Sequence, residues 1–476
     1  MSDLTDVCRI ESDSLGSLSL PSLALHGIHA ERARGNFDLL GQGVHPALVR
    51  AYGEVKLACL LTNRDLGHLT DPALVDAMAT ACREMALGLL PAPEWLDALQ
   101  GGAGTSTHFW VNEVIANRAL VLLGHRPGQY DIISPSAHVN LHQSTNDTFP
   151  TALRIAAMRS LNDLERQIVS LQEAFQSKEA EFSDVVKVGR TELMDAVLVT
   201  LGREMGTYAE ALSRDRWRVY QCLERLRIVN LGGTAVGTGL AAPREYIFRV
   251  VDTLRRVTGL PLARAENLMD ATSNVDVFAE VSGILRALAV TIHKLSGDLR
   301  LLGSGPDAGF SEIELPARQA GSTIMPGKVN PVIAEAAQQA SLLVFGLDGV
   351  VAATCAAGNL ELNPFLPLVA HALLQEIDLL TRACRALSER CIRGIVANLE
   401  RCAATVDGSV ATATALLGTL GYDQASRVMA EARQRKASIR QVARDLGSVS
   451  DQQFDQLTSA EAVCALGTPP NQGATR

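Results

Sequence analysis

Apolar residues recur at helical spacing through the middle of the chain. Across residues 278–302 they advance in alternating steps of three and four, and such a stripe predicts a long helix that packs against neighbours. Residues 201–226 have nearly the same period, and another run begins at 331 and continues past 345. Residues 155–182 and 366–389 are two further candidates. The pattern therefore predicts an all-α fold with an elongated central bundle of about five long helices.

The pattern is less regular on both sides of this bundle. Residues 1–145 mix shorter helical pieces with scattered Gly, Pro and His, and residues 397–476 contain two short helical patterns separated by "KAS". We predict a smaller helical domain at each end and a central domain over residues 146–396, interrupted by a loop at 321–331. Long helices with apolar stripes on more than one face bury little surface in a single copy, so an even-numbered homo-oligomer is also predicted.

Composition narrows the functional classes. The 476 residues are 47% hydrophobic with a net charge of -9 and no long basic run, which argues against nucleic acid and an anionic membrane surface as partners. No unbroken apolar run approaches the ~18 residues needed to span a bilayer, and the N-terminus has no apolar signal segment. We expect a soluble cytoplasmic protein that binds a small molecule.

The possible metal ligands are scattered. The nine cysteines never occur as C-x-x-C, and the ten histidines show no ligand spacing with Cys or Asp. Free, buried thiols are therefore expected in place of disulfides or a metal site. No metal and no cofactor is predicted.

Four stretches interrupt the helical pattern with polar residues: 101–119, 142–155, 189–204 and 321–331. Each places Ser, Thr or Asn at a predicted helix start, and any one of them alone would be explained by helix capping. Four such ends in one helical protein indicate a shared polar pocket. Because helix N-termini present free N–H groups and a positive dipole end, this pocket is predicted to bind carboxylates.

The stretch at 321–331 reads "GSTIMPGKVNP". Asn330 is predicted to cap a helix that has Pro331 at its first position. Three other polar residues are not needed to start that helix: Ser322, Thr323 and Lys328. A serine close to a lysine and a helix start is a candidate base or nucleophile, because positive surroundings favour its ionised form.

These residues resemble an established family. "GSTIMPGKVNP" is similar to the signature loop of the aspartase/fumarase superfamily, and the other three stretches match its remaining active-site regions in the same order. "LGGTAVGTGL" and "LGYDQAS" resemble its aspartase branch, and the likeness extends from about Arg9 to about Thr458. The resemblance implies a homotetramer with a central helical bundle and active sites that each draw residues from three subunits.

The resemblance also implies a reaction: a group is eliminated from a succinyl compound, such as aspartate or an aspartate-like compound with a modified nitrogen, and fumarate is released. A base removes the proton next to one carboxylate, and an aci-carboxylate intermediate forms before the leaving group departs. A mobile loop that closes over this intermediate would exclude water.

Roles follow from the same resemblance, motif by motif. Ser322 is the implied base, and Thr323 donates to the substrate. The residues implied to hold one carboxylate are Lys328 and Asn330, with Thr191 nearby. The residues implied to surround the other carboxylate are Thr105, Ser144 and Thr145. Asn146 is implied to contact the leaving group, and Arg32 matches an arginine of the family with a less defined role.

The sequence departs from the family in its first motif. Where the aspartase pattern has asparagines, His108 and Trp110 stand on either side of Phe109. Either these rings fill space in a repacked wall, or they recognise something other than a bare ammonium. We retain His108 as a candidate substrate-binding residue.

A second departure is Glu192, which stands where the family has His or Gln after the threonine. If Glu192 faces Glu335, one of the two carboxyls should keep its proton. Glu192 could then donate a proton to the leaving group, attract a cationic substituent, or form a salt bridge with Arg118 or Arg190. We retain it as a candidate catalytic residue.

Other interpretations compete. No strand is predicted before the glycines of "GGTAVGTG" and no βαβ unit around them, so a nucleotide loop is not expected. "SPSAHVN" lacks the acidic residue of the secondary carboxylate site of some fumarases, so that site is not expected either. A fumarate hydratase and a catalytically silent tetramer remain as alternatives to the lyase.

Overall fold

The computed structural model describes residues 8–90, 92–465 and 467. Most of them are helical, as predicted. The helices are α1 (Ile28–Asn36), α2 (Pro46–Asp65), α3 (Pro72–Ala86), α4 (Thr105–Leu122), α5 (Thr145–Glu181), α6 (Leu201–Leu226), α7 (Arg244–Thr258), α8 (Asp270–Ser273), α9 (Asp276–Leu302), α10 (Val332–Ala356), α11 (Leu366–Arg390), α12 (Leu399–Gly408), α13 (Leu417–Arg435), α14 (Ile439–Asp445), α15 (Asp451–Leu457) and α16 (Ala460–Cys464). A π-helical turn spans Pro135–Val139, and 3-10 turns span Ile392–Gly394 and Val410–Leu416.

The five predicted long helices are confirmed as α5, α6, α9, α10 and α11. In α9 every side chain of the predicted stripe is buried: Phe278, Val281, Leu285, Leu288, Ile292, Leu295, Leu299 and Leu302. The two short C-terminal helices separated by "KAS" are also confirmed as α13 and α14, with Ser438 capping the second. Helical periodicity was reliable here because each stripe faces a packed neighbour along several turns.

The strands were not predicted. Within the residues that the structure describes, they form four two-stranded sheets: β1 (Cys8–Asp13) with β2 (Gly16–Pro21), β3 (Val186–Thr191) with β4 (Met194–Thr200), β5 (Ile228–Val229) with β6 (Ala263–Arg264), and β7 (Ile313–Glu314) with β8 (Val396–Ala397). The helix start predicted within 189–204 is at Thr200, whose Oγ1 accepts the backbone N–H of Arg203 at 3.2 Å where α6 begins. Thr191 is not at that start, because it pairs with Met194 at the tip of the β3–β4 hairpin. Burial is uneven along β4, where Leu198 and Thr200 are buried and Val197 is exposed.

The expectation that no strand precedes "GGTAVGTG" is also wrong. Strand β5 ends at Val229, just before the glycines, and pairs in parallel with β6 after the intervening helix α7. Strands of two residues show no alternating pattern, so periodicity could not reveal them. The glycines still do not open a helix, since α7 begins only at Arg244.

Internal contacts divide the chain into two compact units. The first comprises residues 1–165, 218–287 and 343–380, and the second comprises residues 166–217, 288–342 and 381–476. In the first unit α2 packs against α3 and α7. In the second, Val188 and Leu198 of the β3–β4 hairpin pack with Val406 of α12. The division at residues 145 and 396 stays a prediction.

Helix α10 corrects the expectation about apolar length. By length and composition its 25 residues could cross a membrane, and 28% of its most apolar stretch is buried. One such helix is weak evidence for a membrane span, and α10 contains the buried polar residues Ser341 and Asp348. The expectation counted unbroken apolar runs, whereas this helix is apolar on average. All nine cysteines are free, and six of them are buried, whereas Cys8 is exposed and Cys355 and Cys464 are partly exposed.

Candidate active site

The start of α5 is the most densely hydrogen-bonded part of the candidate site in the first unit. The Oγ of Ser144 accepts a hydrogen bond from the backbone N–H of Asn146 at 3.2 Å, and the N–H of Ser144 donates to Oδ1 of Asp147 at 3.0 Å. This reciprocal pair caps the helix, as a capping box does. Thr145 and Asn146 consequently stand at the positive end of a 37-residue helix dipole, where an anion is favoured.

Asp147 joins this helix start to the glycine-rich loop. Its Oδ2 accepts hydrogen bonds from the backbone N–H groups of Gly232 at 3.0 Å and Thr234 at 3.1 Å. Burial raises the pKa of Asp147 to about 6, against the effect of these N–H donors. Asn146 adds a further link, since its Nδ2 donates to the carbonyl of Ala235 at 2.7 Å. The "GGTAVGTG" loop therefore supports the α5 terminus.

A buried polar chain leads to Thr145 from α2 and α4. Nζ of Lys56 lies 2.6 Å from Nε2 of His108, and Nδ1 of His108 lies 2.9 Å from Oγ1 of Thr145. The His108 ring packs parallel to Tyr52 at a centroid distance of 5.7 Å. Burial lowers the pKa of His108 well below its usual value, so the imidazole is neutral.

The two other rings of the altered motif pack against protein. Phe109 stacks on His29 at a centroid distance of 4.1 Å, and Trp110 is 4% exposed. These positions support wall packing as their role. His108 differs because both of its ring nitrogens have polar partners, and its direct contact with substrate stays a prediction.

The position of Thr105 depends on the preceding glycine, Gly104, whose backbone lies close to the ring of Phe149. Thr105 begins α4 directly after Gly104, whose φ is +92° and at which a Cβ would lie 2.1 Å from the ring of Phe149. Only glycine satisfies both conditions. The hydroxyl of Thr105 donates to the carbonyl of Gly102 at 2.5 Å. The structure thus brings four predicted residues, Ser144, Thr145, Asn146 and His108, to one helix start, with Thr105 at the start of α4.

In the second unit, the loop at 321–331 closes on itself. The N–H of Gly321 donates to the carbonyl of Lys328 at 2.7 Å, and Nδ2 of Asn330 donates to the carbonyl of Gly321 at 2.8 Å. The prediction that Asn330 caps a helix starting at Pro331 is wrong, because α10 begins at Val332 and the Asn330 side chain closes the loop. The preference of asparagine for helix N-caps could not reveal that the Asn330 side chain would bond to Gly321 instead.

Ser322 is polarised by its own loop. Its Oγ accepts hydrogen bonds from the backbone N–H groups of Ile324 at 3.1 Å and Met325 at 2.9 Å. Donors that point at an oxygen favour its negatively charged form. The neighbouring side chains of Thr323 and Lys328 are exposed. This arrangement suits a serine that acts as a base.

Glu192 stands in a strained turn. Together with Leu193 it forms the two-residue connection of the β3–β4 hairpin, and the φ angles are +54° and +65°. Such turns prefer Gly, Asn or Asp, so Glu and Leu at these positions indicate a constraint beyond the turn itself. Thr191 precedes them, and all three side chains are exposed.

The salt-bridge alternative for Glu192 is not supported. Arg118 pairs with Glu84 at 2.6 Å, and Arg190 pairs with buried Glu312 at 2.8 Å. Among the residues that the structure describes, Glu192 has no ion-pair partner. Glu335 lies 3.8 Å from Arg300, and its predicted pairing with Glu192 stays a prediction.

Sequence reasoning missed four residues that support the candidate residues: Lys56, Gln143, Asp147 and Glu312. Glu312 holds strand β3, since it pairs with Lys187 at 2.6 Å as well as with Arg190. Lys56 had a sequence signal, because it is a single charge in the apolar stretch "VKLACLL" of α2. Arg32, which had no defined role, binds Asp13 through two hydrogen bonds of 2.8 Å.

No metal cluster accompanies these groups. Within residues 8–90, 92–465 and 467, no set of three or more His, Cys, Asp or Glu is placed to hold a metal ion.

Two family models match the chain. The one described as "Lyase" matches residues 16–346, which is more than half of the chain, and the one described as "Fumarase C C-terminus" matches residues 413–465. Together they include every candidate residue discussed above.

Similar proteins cover nearly the whole chain. An aspartate ammonia-lyase from Bacillus sp is 42% identical over 453 residues, or 95% of this chain and 96% of that protein. A structure described as fumarate lyase:delta crystallin from Brucella melitensis bound to cobalt is 42% identical, covers 95% of this chain and 98% of its own, and has a TM-score of 0.91. A class II fumarase from Schistosoma mansoni is 32% identical, covers 96% and 99%, and has a TM-score of 0.87.

Proposed function

The chain belongs to the aspartase/fumarase superfamily of lyases, and on that premise we propose that it eliminates ammonia from aspartate to give fumarate. The observation that supports this most is Ser322, whose oxygen accepts two backbone N–H bonds within the family's signature loop. The enzyme is a carbon–nitrogen lyase on this proposal, and it releases one fumarate and one ammonium for each aspartate.

The proton is removed first. Ser322, as its alkoxide, takes the proton from the carbon next to one carboxylate, and the electron pair of the C–H bond moves onto that carboxylate as an aci form with two negative oxygens. Fixed donors that match this added charge accelerate the step. The start of α5, with Thr145 and its dipole, supplies donors at one carboxylate, and Lys328 and Asn330 are proposed at the other.

The carbon–nitrogen bond breaks second. The electron pair returns from the aci-carboxylate to form the C=C bond, and the nitrogen departs as ammonia with the electrons of the C–N bond. The proton that Ser322 removed is then given up, which restores the alkoxide and accounts for the release of ammonium. Asn146 and Glu192 are proposed to contact this leaving group. Since Glu192 has no ion pair among the described residues, its carboxyl is available either to attract a cationic nitrogen or to donate a proton to a neutral one.

We also propose a cytoplasmic homotetramer whose active sites combine residues of several subunits. Large apolar side chains on the long helices remain exposed in one copy: Val290 at 55%, Leu342 at 55% and Leu343 at 47%. Burial of such residues against further copies is the usual reason for their exposure. Light scattering should give a mass close to four times 50.8 kDa, and a monomer would contradict this proposal.

The activity is tested directly. The purified protein is incubated with aspartate and with a panel of N-substituted aspartates, and fumarate is followed by its absorbance. We expect fumarate from at least one member and none from Ser322→Ala. No fumarate from any member would overturn the proposal.

The hydratase alternative is favoured by the likeness to the class II fumarase. It predicts rapid malate formation from fumarate without added amine. Glu192 in place of the family's histidine counts against it. If malate forms faster than aspartate is consumed, the hydratase replaces the ammonia-lyase as the proposed function.

A further inference from the structure

Lys56 is a buried ammonium in an apolar setting. It lies in the middle of α2, and its side chain is 1% exposed. Removing an ammonium group from water is costly unless hydrogen bonds and an opposite charge compensate it. Its three N–H bonds have three acceptors: Nε2 of His108 at 2.6 Å, Oε1 of Gln143 at 2.7 Å and Oδ1 of Asn140 at 3.3 Å. All three acceptors are neutral.

The ionisable groups around Lys56 offset its charge only in part, since burial still lowers the pKa of Lys56. Cys59 and Cys82 face it from α2 and α3, and burial raises the pKa of each thiol to about 12, so both are neutral. Asp147 is near enough to act on Lys56 electrostatically, but its oxygens accept backbone N–H bonds of α5 and the glycine-rich loop. Among the described residues, no carboxylate forms an ion pair with Lys56. The charge is therefore open to compensation by a bound anion.

The charge of Lys56 determines the tautomer of His108. An ammonium group has no lone pair, so Nε2 of His108 must accept its hydrogen bond. The ring is neutral, and its single proton is then on Nδ1. Nδ1 faces Oγ1 of Thr145 at 2.9 Å, so the imidazole donates to the threonine oxygen. The hydroxyl hydrogen of Thr145 is left to donate to another acceptor.

We propose that Lys56 is a positioning residue that acts through His108, so that Thr145 donates its hydroxyl hydrogen to a carboxylate of the bound dicarboxylate. This inference rests on the proposed function for the identity of the anion. On this proposal His108 does not contact the substrate; it orients the hydroxyl group of Thr145, which does. The buried ammonium, the imidazole and the hydroxyl form one relay, and the carboxylate completes its charge balance.

Loss of the proton from Lys56 reverses the relay. A neutral amine can accept from Nε2–H of His108, and Nδ1 then accepts the Thr145 hydroxyl hydrogen. Thr145 would present only oxygen lone pairs to the carboxylate, which repel it. Burial lowers the pKa of Lys56 to about 8 in the free protein. Because the dianion binds the protonated form, its dissociation constant should rise as the pH increases through this pKa, approaching tenfold per pH unit.

Succinate is the probe, since it has both carboxylates, no leaving group and no ionisation in the alkaline range. Its binding is measured by calorimetry on the whole protein between about pH 6.5 and about pH 9.5. Wild-type affinity should fall by about tenfold or more across this range. Lys56→Met and His108→Phe should bind about tenfold more weakly at neutral pH and show a flat profile. His108→Phe retains a ring against Tyr52, so packing is matched.

Lys178→Met is the control. Lys178 is also a buried lysine, 6% exposed, and it donates to Glu181 and to the carbonyl of Ile395. Its loss should leave the succinate profile of the wild type unchanged, even if the melting temperature falls.

A double-mutant cycle separates a relay from two independent effects. If Lys56 acts through His108, the double variant should bind succinate no more weakly than the weaker single variant. Additive losses would overturn the proposal, as would a Lys56→Met variant with the wild-type alkaline decline. If the affinity of the wild type for succinate did not change with pH, the proposal would be overturned without any variant. This test therefore remains available if Lys56→Met does not fold.

The two proposals fail in different ways. Alkaline-sensitive succinate binding that is flattened in Lys56→Met, with no fumarate from aspartate, would support the relay and overturn the ammonia-lyase. Fumarate production with an alkaline decline that persists in Lys56→Met would support the lyase and overturn the relay.

Discussion

The start of α5 and the loop at 321–331 contain the same kinds of polar residue but are held in different ways. At the α5 start, Asp147 is fully buried and bonded to the glycine-rich loop. The loop at 321–331 is hydrogen-bonded mainly within itself, and Ile324 near its middle is 83% exposed. The first region presents donors that are fixed before substrate arrives, which lowers the cost of reorganisation. The second is exposed and bonded mainly to itself, which is the arrangement that a closing loop would need.

This comparison separates activity from stability. A change in the loop should reduce turnover without lowering stability, because few packed contacts depend on it. A change at the α5 start should lower both, because the same bonds hold the helix and the binding groups. Three variants test this difference, and a fourth, in the β3–β4 hairpin, tests the proposed contact with the leaving group.

Ser322→Ala should have the largest effect on turnover. Loss of a positioned base typically costs about 10²- to 10⁴-fold in rate, and we expect a fall in kcat of that order. The exposed loop gives no reason for a change in melting temperature. Fumarate formation at saturating aspartate and a thermal melt on the same sample measure both. Near wild-type kcat would remove Ser322 from the mechanism.

Glu192→Gln should lower kcat by about 10²-fold if Glu192 donates a proton to the leaving group. Because Glu192 is exposed and has no described ion pair, its melting temperature should match the wild type. The matched control is Glu210→Gln, an exposed glutamate of α6, which should change neither quantity. Wild-type turnover in Glu192→Gln would exclude the donor role, and a lower melting temperature would indicate a structural one.

Asp147→Asn should lower the stability of the folded state by about 1–3 kcal/mol, the cost of leaving a buried N–H group unpaired. Both carboxylate oxygens of Asp147 accept backbone N–H bonds, whereas asparagine has one acceptor and would direct an NH₂ at a donor. The melting temperature and kcat/KM should fall together, since Asp147 supports the α5 terminus.

Asp71→Asn is the control for this substitution. Asp71 caps α3 through one oxygen, Oδ1, which accepts from Ala73 and Leu74. Asparagine caps helices as well as aspartate does, so no measurable change in stability is expected. Equal losses in the two variants would show that the second acceptor oxygen of Asp147 is unimportant.

Ile324→Ala should have the smallest effect. Its side chain is 83% exposed in the loop. The turnover should therefore stay within about twofold of the wild-type value, and the melting temperature should be nearly unchanged. A large fall in kcat with an unchanged melting temperature would show that the loop closes onto this side chain. That result would sharpen the comparison by locating the contact made on closure.

Apolar periodicity alone determined the main architecture. The long helices repeat their pattern over several turns, so many residues report the same face, and all five were predicted. The polar stretches were also visible in sequence, because Ser322 and Lys328 were not needed to start the helix that follows them. Resemblance to the family then supplied roles for them that periodicity could not.

Tertiary structure decided the features that depend on a few residues or on distant partners. The two-residue strands β5 and β6 are too short for a pattern, and the β3–β4 hairpin lies between two strong helical signals. Lys56, His108 and Thr145 are far apart in sequence, so only the fold shows that they are in contact. A local sequence pattern shows which face of a helix or strand is buried, but not which other element covers that face. Hydrogen bonds between elements depend on that partner, so only the tertiary structure reveals them.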